Sequence, residues 1–219
     1  MPDLAAETAR SEPRIALPFD AMVLAGGASS RLGSVAKAEL VADGATLLER
    51  TLAAVSGARR TVVVGPEPSQ RLPAGVLLAR EDPAFGGPAS AIAAGLAMLA
   101  AGGGSSDVTL VLACDMPNIG LAVPRLVRGL VDNPEQDGVI AVEADRLQWL
   151  ASGFRTARLA SAIGARSGAL DGMPVVRLLD GLNLVPIDVP PGSTADVDTW
   201  DDARRLGVIR AGSPRKENA

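Results

Sequence analysis

The feature of this sequence that most constrains its fold is an apolar segment, Phe19 to Ala25, that leads directly into a pair of glycines. An apolar run of this length predicts a buried strand of a parallel sheet. Gly26, Gly27 and Gly33 allow the backbone after the strand to adopt a positive φ and to approach a ligand closely. The combination is typical of α/β folds in which a strand ends at a ligand-binding turn.

Positive charge accompanies these glycines. Arg31 and Lys37, together with the amide groups of the small residues between them, predict a site for phosphate oxygens. The spacing departs from the dinucleotide fingerprint G-x-G-x-x-G, and the Gly-Lys-Ser/Thr triplet of a Walker A loop does not occur in the chain. An ordinary glycine-rich turn between a strand and a helix is the alternative interpretation.

Strands and helices alternate along the rest of the chain. The predicted strands are residues 19–25, 61–64, 76–79, 107–113, 138–142, 147–151 and 183–189, the last at a sheet edge because it contains Pro186. The predicted helices are residues 46–56, 88–101, 121–131, 155–165 and 199–206, the last capped by Thr199. The alternation predicts a Rossmann-like α/β three-layer sandwich with a mostly parallel sheet. We expect one domain over residues 19–209, with flexible tails at 1–18 and 210–219.

Composition excludes several classes of site. The chain has no histidine, which rules out Ser-His-Asp triads and histidine-ligated zinc, and its one cysteine, Cys114, cannot form an internal disulfide and is expected to be a core residue. A net charge of −4 and only five aromatic residues, three Phe and two Trp, argue against nucleic-acid binding. The sequence contains no uncharged apolar run of about 18 residues, so no membrane span is predicted. We expect a cytoplasmic monomer or weak homodimer.

Acidic residues mark the ends of later elements. Asp115 follows an apolar strand, where a carboxylate could hold Mg²⁺ beside nucleotide phosphates; an N-cap or Asx-turn before Pro117 is the alternative. Asp196 and Asp198 precede the last helix and could be metal ligands or helix-capping residues.

A third polar feature follows the strand at residues 76–79. Glu81 and Asp82, followed by Gly86-Gly87-Pro88, could place backbone amides and a helix N-terminus against a ribose or base, or could form an ordinary turn before a helix.

Taken together, these motifs resemble the molybdenum cofactor guanylyltransferase family, within the wider glycosyltransferase-A-like nucleotidyltransferases. The resemblance runs from about residue 20 to 207. Its motifs are Leu24-Ala25-Gly26-Gly27 with Arg31, Gly33 and Lys37; Asp82 with Gly86, Gly87 and Pro88; Cys114-Asp115-Met116-Pro117; and Asp196, Asp198 and Thr199.

The resemblance implies the nucleotide-diphospho-sugar transferase fold and Mg²⁺-dependent transfer of GMP from GTP to a molybdopterin phosphate, with release of pyrophosphate. Arg31 and Lys37 would act in catalysis, and Asp115 and Asp198 would bind Mg²⁺. The implied nucleotide-binding residues are Leu24, Ala25, Gly26, Gly27, Arg31, Gly33, Lys37, Asp82, Gly87 and Asp115.

The chain departs from the family pattern at three places. Ala36 replaces the acid before the lysine, Trp200 replaces the proline after the closing Thr199, and Val64-Gly65-Pro66 stands where the guanylyltransferases often carry an asparagine. The alternatives are therefore a nucleotidyltransferase that uses CTP or another acceptor, such as a sugar phosphate or phospholactate, and a non-catalytic nucleotide-binding relative.

Overall fold

A computed structural model describes residues 17–27, 32–33, 35–101 and 103–212. Its elements, in chain order, are β1 (Asp20–Leu24), β2 (Val41–Ala42), β3 (Ala45–Thr46), α1 (Leu47–Ala54), β4 (Arg60–Val64), β5 (Val76–Ala79), α2 (Gly87–Ala101), β6 (Val108–Ala113), α3 (Val123–Asp132), β7 (Gly138–Glu143), β8 (Arg146–Arg155), α4 (Thr156–Gly164), α5 (Val175–Leu178), β9 (Leu184–Asp188), α6 (Trp200–Arg205) and β10 (Val208–Ile209). Short 3₁₀ helices span Lys37–Glu39 and Ile119–Leu121.

The main sheet has seven strands in the order β5-β4-β1-β6-β8-β7-β9. Neighbours pair in parallel except for β8, which is antiparallel to both β6 and β7. Pro186 lies in β9, at the edge of the sheet, as predicted for a residue that cannot donate a backbone hydrogen bond. The mostly parallel α/β sheet that the sequence predicted is confirmed.

Side chains of the central strand alternate between the two faces of the sheet. Ala21 and Val23 of β1 pack into a core with residues of α1 and α3, whereas Met22 and Leu24 pack into a second core with residues of α2, α4 and α5. Because alternate side chains of the strand point to opposite faces, each face of the sheet is covered by helices. The result is a sandwich of three layers, helix, sheet and helix.

A small second sheet, in the order β10-β2-β3, was not predicted. Its strands have two residues each, too few for a periodic pattern, but Asp43 and Gly44 both have a positive φ and form the turn between β2 and β3. The Asp-Gly pair is the sequence signal for such a hairpin. The third apolar cluster beneath this sheet includes the fully buried Val197.

Two predicted boundaries were wrong. The helix predicted from residue 121 divides into a 3₁₀ turn and α3, because Pro124 has no N–H and lies in the first turn of a helix. The strand predicted at 147–151 is longer, since β8 runs to Arg155 between two partner strands.

Candidate functional site

A cleft of about 330 Å³ opens at the carboxyl ends of β1, β4, β5 and β6. Backbone hydrogen bonds join these strand ends directly: the Ala25 amide donates to Val64 O at 2.8 Å and the Gly65 amide to Ala79 O at 3.0 Å. The cleft is lined by Leu24, Ala25, Gly26, Gly27, Ala36, Lys37, Pro66, Glu81, Phe85, Gly87, Pro88, Ala91, Ala113, Cys114, Asp115 and Leu150. Ligands of open α/β sheets bind at this edge.

The glycine segment forms one wall of the cleft. Gly27 has a φ of 137° and Gly33 a φ of 68°, as the sequence predicted, whereas Gly26 does not adopt a positive φ. Leu24, Ala25, Gly26 and Gly27 line the cleft, but Gly33 is not among the lining residues. Arg31, predicted to contact the triphosphate, lies outside the described residues.

Lys37 connects this wall to two acids from distant parts of the chain. Its Nζ lies 2.9 Å from Asp115 Oδ2 and also donates to Asp198 Oδ1. Burial of the ammonium group alone would lower its pKa, but the two carboxylates outweigh this effect and the pKa of Lys37 is raised above 10.5. Lys37 is therefore a stable cation among the residues that line the cleft.

Asp115, Asp196 and Asp198 bring carboxylate oxygens within 4.8 Å of one another. Asp196 is exposed as a whole residue, but partial desolvation of its carboxyl group raises its pKa, and the negative charges of Asp198 and Asp115 raise it further. Carboxylate oxygens are the protein ligands that Mg²⁺ prefers, and a divalent cation would relieve this repulsion. The three acids thus fit a hard divalent cation.

The alternative interpretation of Asp196 and Asp198 as helix-capping residues does not agree with the contacts around α6. Thr199 caps α6 and forms a capping box with Asp202, so this role belongs to neither Asp196 nor Asp198. The N-cap residue of the 3₁₀ turn after Asp115 is Asn118, so Asp115 does not cap that turn. Buried Val197 lies between the two acids, and its amide donates to Asp115 O at 3.0 Å, which holds them beside the end of β6.

The other end of the cleft lies beyond β5. Glu81 lines the cleft and its Oε1 accepts from the Phe85 amide at 3.1 Å, whereas Oε2 is buried with no hydrogen-bond partner among the described residues. Phe85 also lines the cleft and is 70% exposed. Asp82, predicted to contact the nucleoside, is exposed and is not among the lining residues, but Gly87 is.

The sequence placed Glu81 in the turn before α2 but assigned the nucleoside contact to Asp82, and it did not identify Phe85, Pro66 or Leu150 as lining residues of the cleft. The signal for Glu81 was the acid pair that it forms with Asp82; the others carry no polar signal. Cys114 is buried as predicted, and burial raises the pKa of its thiol.

A family model for the MobA-like NTP transferase domain matches residues 21–183 of this chain. The chain belongs to that family. It is therefore a nucleotidyltransferase of the MobA-like group, which confirms the resemblance in the sequence motifs. No curated protein sequence gives a significant match to the chain.

Solved structures share the fold of this family member at low sequence identity. Molybdopterin-guanine dinucleotide biosynthesis protein A from Archaeoglobus fulgidus is 21% identical, with a TM-score of 0.64 over 86% of this chain and 96% of its own. The 2-C-methyl-D-erythritol 4-phosphate cytidylyltransferase of Thermus thermophilus is 21% identical, with a TM-score of 0.63 over 86% and 97%. Rv0371c of Mycobacterium tuberculosis, in complex with manganese, is 20% identical, with a TM-score of 0.63 over 86% and 97%.

Among the residues that the structure describes, no helix combines the length and apolar character needed to cross a bilayer.

Proposed function

We propose that this nucleotidyltransferase transfers GMP from GTP to the phosphate of a molybdopterin-type acceptor, with Mg²⁺ as its cofactor. The observation that carries the proposal is the position of Lys37 between Asp115 and Asp198, at the end of a cleft walled by the glycine segment. Guanine is favoured because the segment reads Leu-Ala-Gly-Gly, as in the guanylyltransferases, and because a structural relative bears a molybdopterin-guanine dinucleotide name.

The cleft can act by holding and neutralising the triphosphate. The Lys37 ammonium supplies positive charge for phosphate oxygens, and the backbone at Gly26 and Gly27 is open to a close approach by the ligand. Mg²⁺ held by Asp115 and Asp198, together with Asp196, would neutralise further charge on the phosphate oxygens.

The transfer needs no protein base. An oxygen of the ionised acceptor phosphate forms a bond to the α-phosphorus, the bond to the bridging oxygen of the β-phosphate breaks, and pyrophosphate leaves with the electron pair. An ionised phosphate has no proton to lose at the attacking oxygen, so positioning and charge neutralisation are sufficient. This chemistry suits a chain without histidine.

A second candidate is a cytidylyltransferase that uses another acceptor. The fold matches the Thermus thermophilus cytidylyltransferase about as well as the Archaeoglobus fulgidus protein. In addition, Gly65 and Pro66 follow β4 where an asparagine is common in guanylyltransferases, and neither has a side chain that can hydrogen-bond to a base. Acceptors of this alternative include sugar phosphates and phospholactate.

The test is a screen of the four nucleoside triphosphates with Mg²⁺, followed by an assay of pyrophosphate release with molybdopterin. A nucleotide at 100 times its dissociation constant stabilises the folded protein by about 2.7 kcal/mol, so thermal shifts rank the bases. We expect the largest shift with GTP and release of pyrophosphate that depends on Asp115. A larger shift with CTP would favour the second candidate, and nucleotide binding without turnover would indicate a non-catalytic relative.

A further inference from the structure

The two acids Asp196 and Asp198 reach the site on a loop that starts at the far edge of the sheet. They lie on a segment of residues 189–199, here called the closing loop, which follows β9 at the edge of the sheet. The acid that they meet, Asp115, follows β6, and β8 and β7 lie between β6 and β9. The closing loop therefore crosses three inter-strand spacings, about 14 Å, along the carboxyl edge of the sheet.

Glu143 holds the closing loop part-way along this route. It is the last residue of β7, and one carboxylate oxygen accepts from the Gly192 amide. The other oxygen accepts from the Thr194 amide at 2.9 Å and from the Thr194 hydroxyl at 2.5 Å. Thr194 is only 3% exposed. A single carboxylate thus satisfies three donors of an irregular segment, which would otherwise lose hydrogen bonds in a partly buried position.

Two further hydrogen bonds fasten the loop, one at Gly192 and one at Val197. Asn118 Nδ2 donates to Gly192 O at 3.3 Å, and the Val197 amide donates to Asp115 O at 3.0 Å. Asp196 lies between the Glu143 anchor at Thr194 and the anchor at Val197. Because Asp196 is only two residues beyond Thr194, displacement of Thr194 would shift the backbone that carries the Asp196 carboxylate.

We propose that Glu143 is a positioning residue for the carboxylate cluster. It contacts neither Asp115 nor Asp198, and it acts by fixing the closing loop so that Asp196 and Asp198 meet Asp115. The inference rests on the proposed function, in which that cluster binds a divalent cation.

The test measures Mn²⁺ affinity without turnover, from the electron paramagnetic resonance signal of free Mn²⁺. Loss of a residue that orients metal ligands typically weakens metal binding about 10- to 100-fold, so we expect Glu143→Gln to bind Mn²⁺ at least about 10-fold more weakly. Asp137→Asn is the matched control. Like Glu143, Asp137 is an acid that accepts a hydrogen bond from a backbone amide, here Asn183 at 2.9 Å, but it precedes the opposite end of β7 from the closing loop. Asp137→Asn should bind Mn²⁺ as the unmodified protein does.

A double-mutant cycle separates positioning from general loss of stability. The Asp198→Asn variant lacks one of the carboxylates that the closing loop positions, so the position of the loop has less effect on Mn²⁺ affinity. In this background we expect Glu143→Gln to weaken Mn²⁺ binding by much less than in the unmodified protein. An equal loss in both backgrounds, or an equal loss in Asp137→Asn, would overturn the inference. If Glu143→Gln does not fold, Thr194→Val removes one of the three donors and should weaken binding by a smaller factor; unchanged binding in that variant would also overturn it.

Failure of the proposed function gives a different result. Unmodified protein that binds no Mn²⁺ would overturn the metal site itself and the inference with it. Tight binding by both the unmodified protein and Glu143→Gln would overturn the role of Glu143 and leave the proposed function intact.

Discussion

Lys37 Nζ lies 2.9 Å from Asp115 Oδ2, although 78 residues separate the two in the chain. The same ammonium group contacts Asp198, a further 83 residues on, so one cation joins three distant parts of the sequence. The side chains of Lys37 and Asp115 are about one-fifth exposed, at 22% and 20%. Partial burial strengthens the interaction relative to an ion pair in bulk water.

Lys37→Ala should lower the rate of pyrophosphate release at least about 100-fold. The substitution removes a preorganised cation from the site where charge develops, a loss that typically costs a factor of about 100 to 1,000 in kcat. Steady-state assays with GTP, Mg²⁺ and molybdopterin measure the effect. Arg59→Ala is the control, because the Arg59 guanidinium donates to Gly104 O, outside the cleft. Activity that is indifferent to Lys37 would contradict the assignment of the site.

The Lys37 ion pairs should also produce a pH dependence of stability at alkaline pH. Because the folded-state pKa is raised above 10.5, these contacts contribute stability that is fully present below pH 10.5 and is lost as the pH rises through the folded-state pKa. Urea unfolding between pH 8 and pH 12 measures the free energy of unfolding. The difference between the unmodified protein and Lys37→Met should shrink at the alkaline end; a constant difference would contradict the ion-pair description.

Glu81→Gln should weaken nucleotide binding more than Asp82→Asn. Glu81 lines the cleft and holds the Phe85 amide, whereas Asp82 is exposed and is not a lining residue. The other carboxylate oxygen, Oε2, has no partner among the described residues and would be the atom that accepts from a bound nucleotide. Glutamine replaces one carboxylate oxygen by an NH₂ group, and loss of such a charge-assisted hydrogen bond typically costs about 1.5–3 kcal/mol, or at least about a 10-fold change in affinity. Titration calorimetry with GTP and with CTP compares the two variants. A larger effect of Asp82→Asn would support the sequence-based prediction for Asp82.

Gly65→Ala should destabilise the fold and disturb the glycine segment. Gly65 has a φ of 153°, and a Cβ at this position would lie 2.9 Å from both Ala25 C and Gly26 N. Backbone atoms cannot move aside cheaply, so we expect a loss of about 1–3 kcal/mol in the free energy of unfolding. Gly164→Ala is the control: its Cβ would meet no atom within 4 Å, its φ is not positive, and the change should stabilise by about 0.5 kcal/mol.

Asp202→Asn should reduce the sensitivity of the protein to acid. Hydrogen bonds from Thr199, together with Arg205, lower the pKa of Asp202 from 3.8 to about 2. A lowered folded-state pKa contributes stability above pH 3.8 that is lost as the pH falls towards 2. Thermal unfolding should therefore distinguish the variant from the unmodified protein at pH 6 but not near pH 2. Asp201→Asn, at a side chain 83% exposed, should show no such trend.

The sequence was sufficient to predict the parallel strands and the glycine turn. β1 and β6 are mostly apolar runs because both of their faces are buried, and such runs are visible without tertiary information. The hairpin of β2 and β3 has strands of two residues, which carry no period, although its Asp43-Gly44 turn was readable. Short elements are fixed mainly by packing, here against Leu47 and Val197.

At the candidate site the sequence determined which groups are present, and the tertiary structure decided which of them meet. The order of motifs indicated phosphate binding by Lys37 and a carboxylate at Asp115, because each follows a strand at the same sheet edge. Local sequence could not separate Asp196 and Asp198 from ordinary capping residues, nor Glu81 from Asp82. Whether Asp196 and Asp198 meet Asp115 depends on the path of the closing loop across the sheet, and whether Glu81 or Asp82 faces the cleft depends on side-chain direction after β5. Long-range backbone contacts fix both, and local propensity does not.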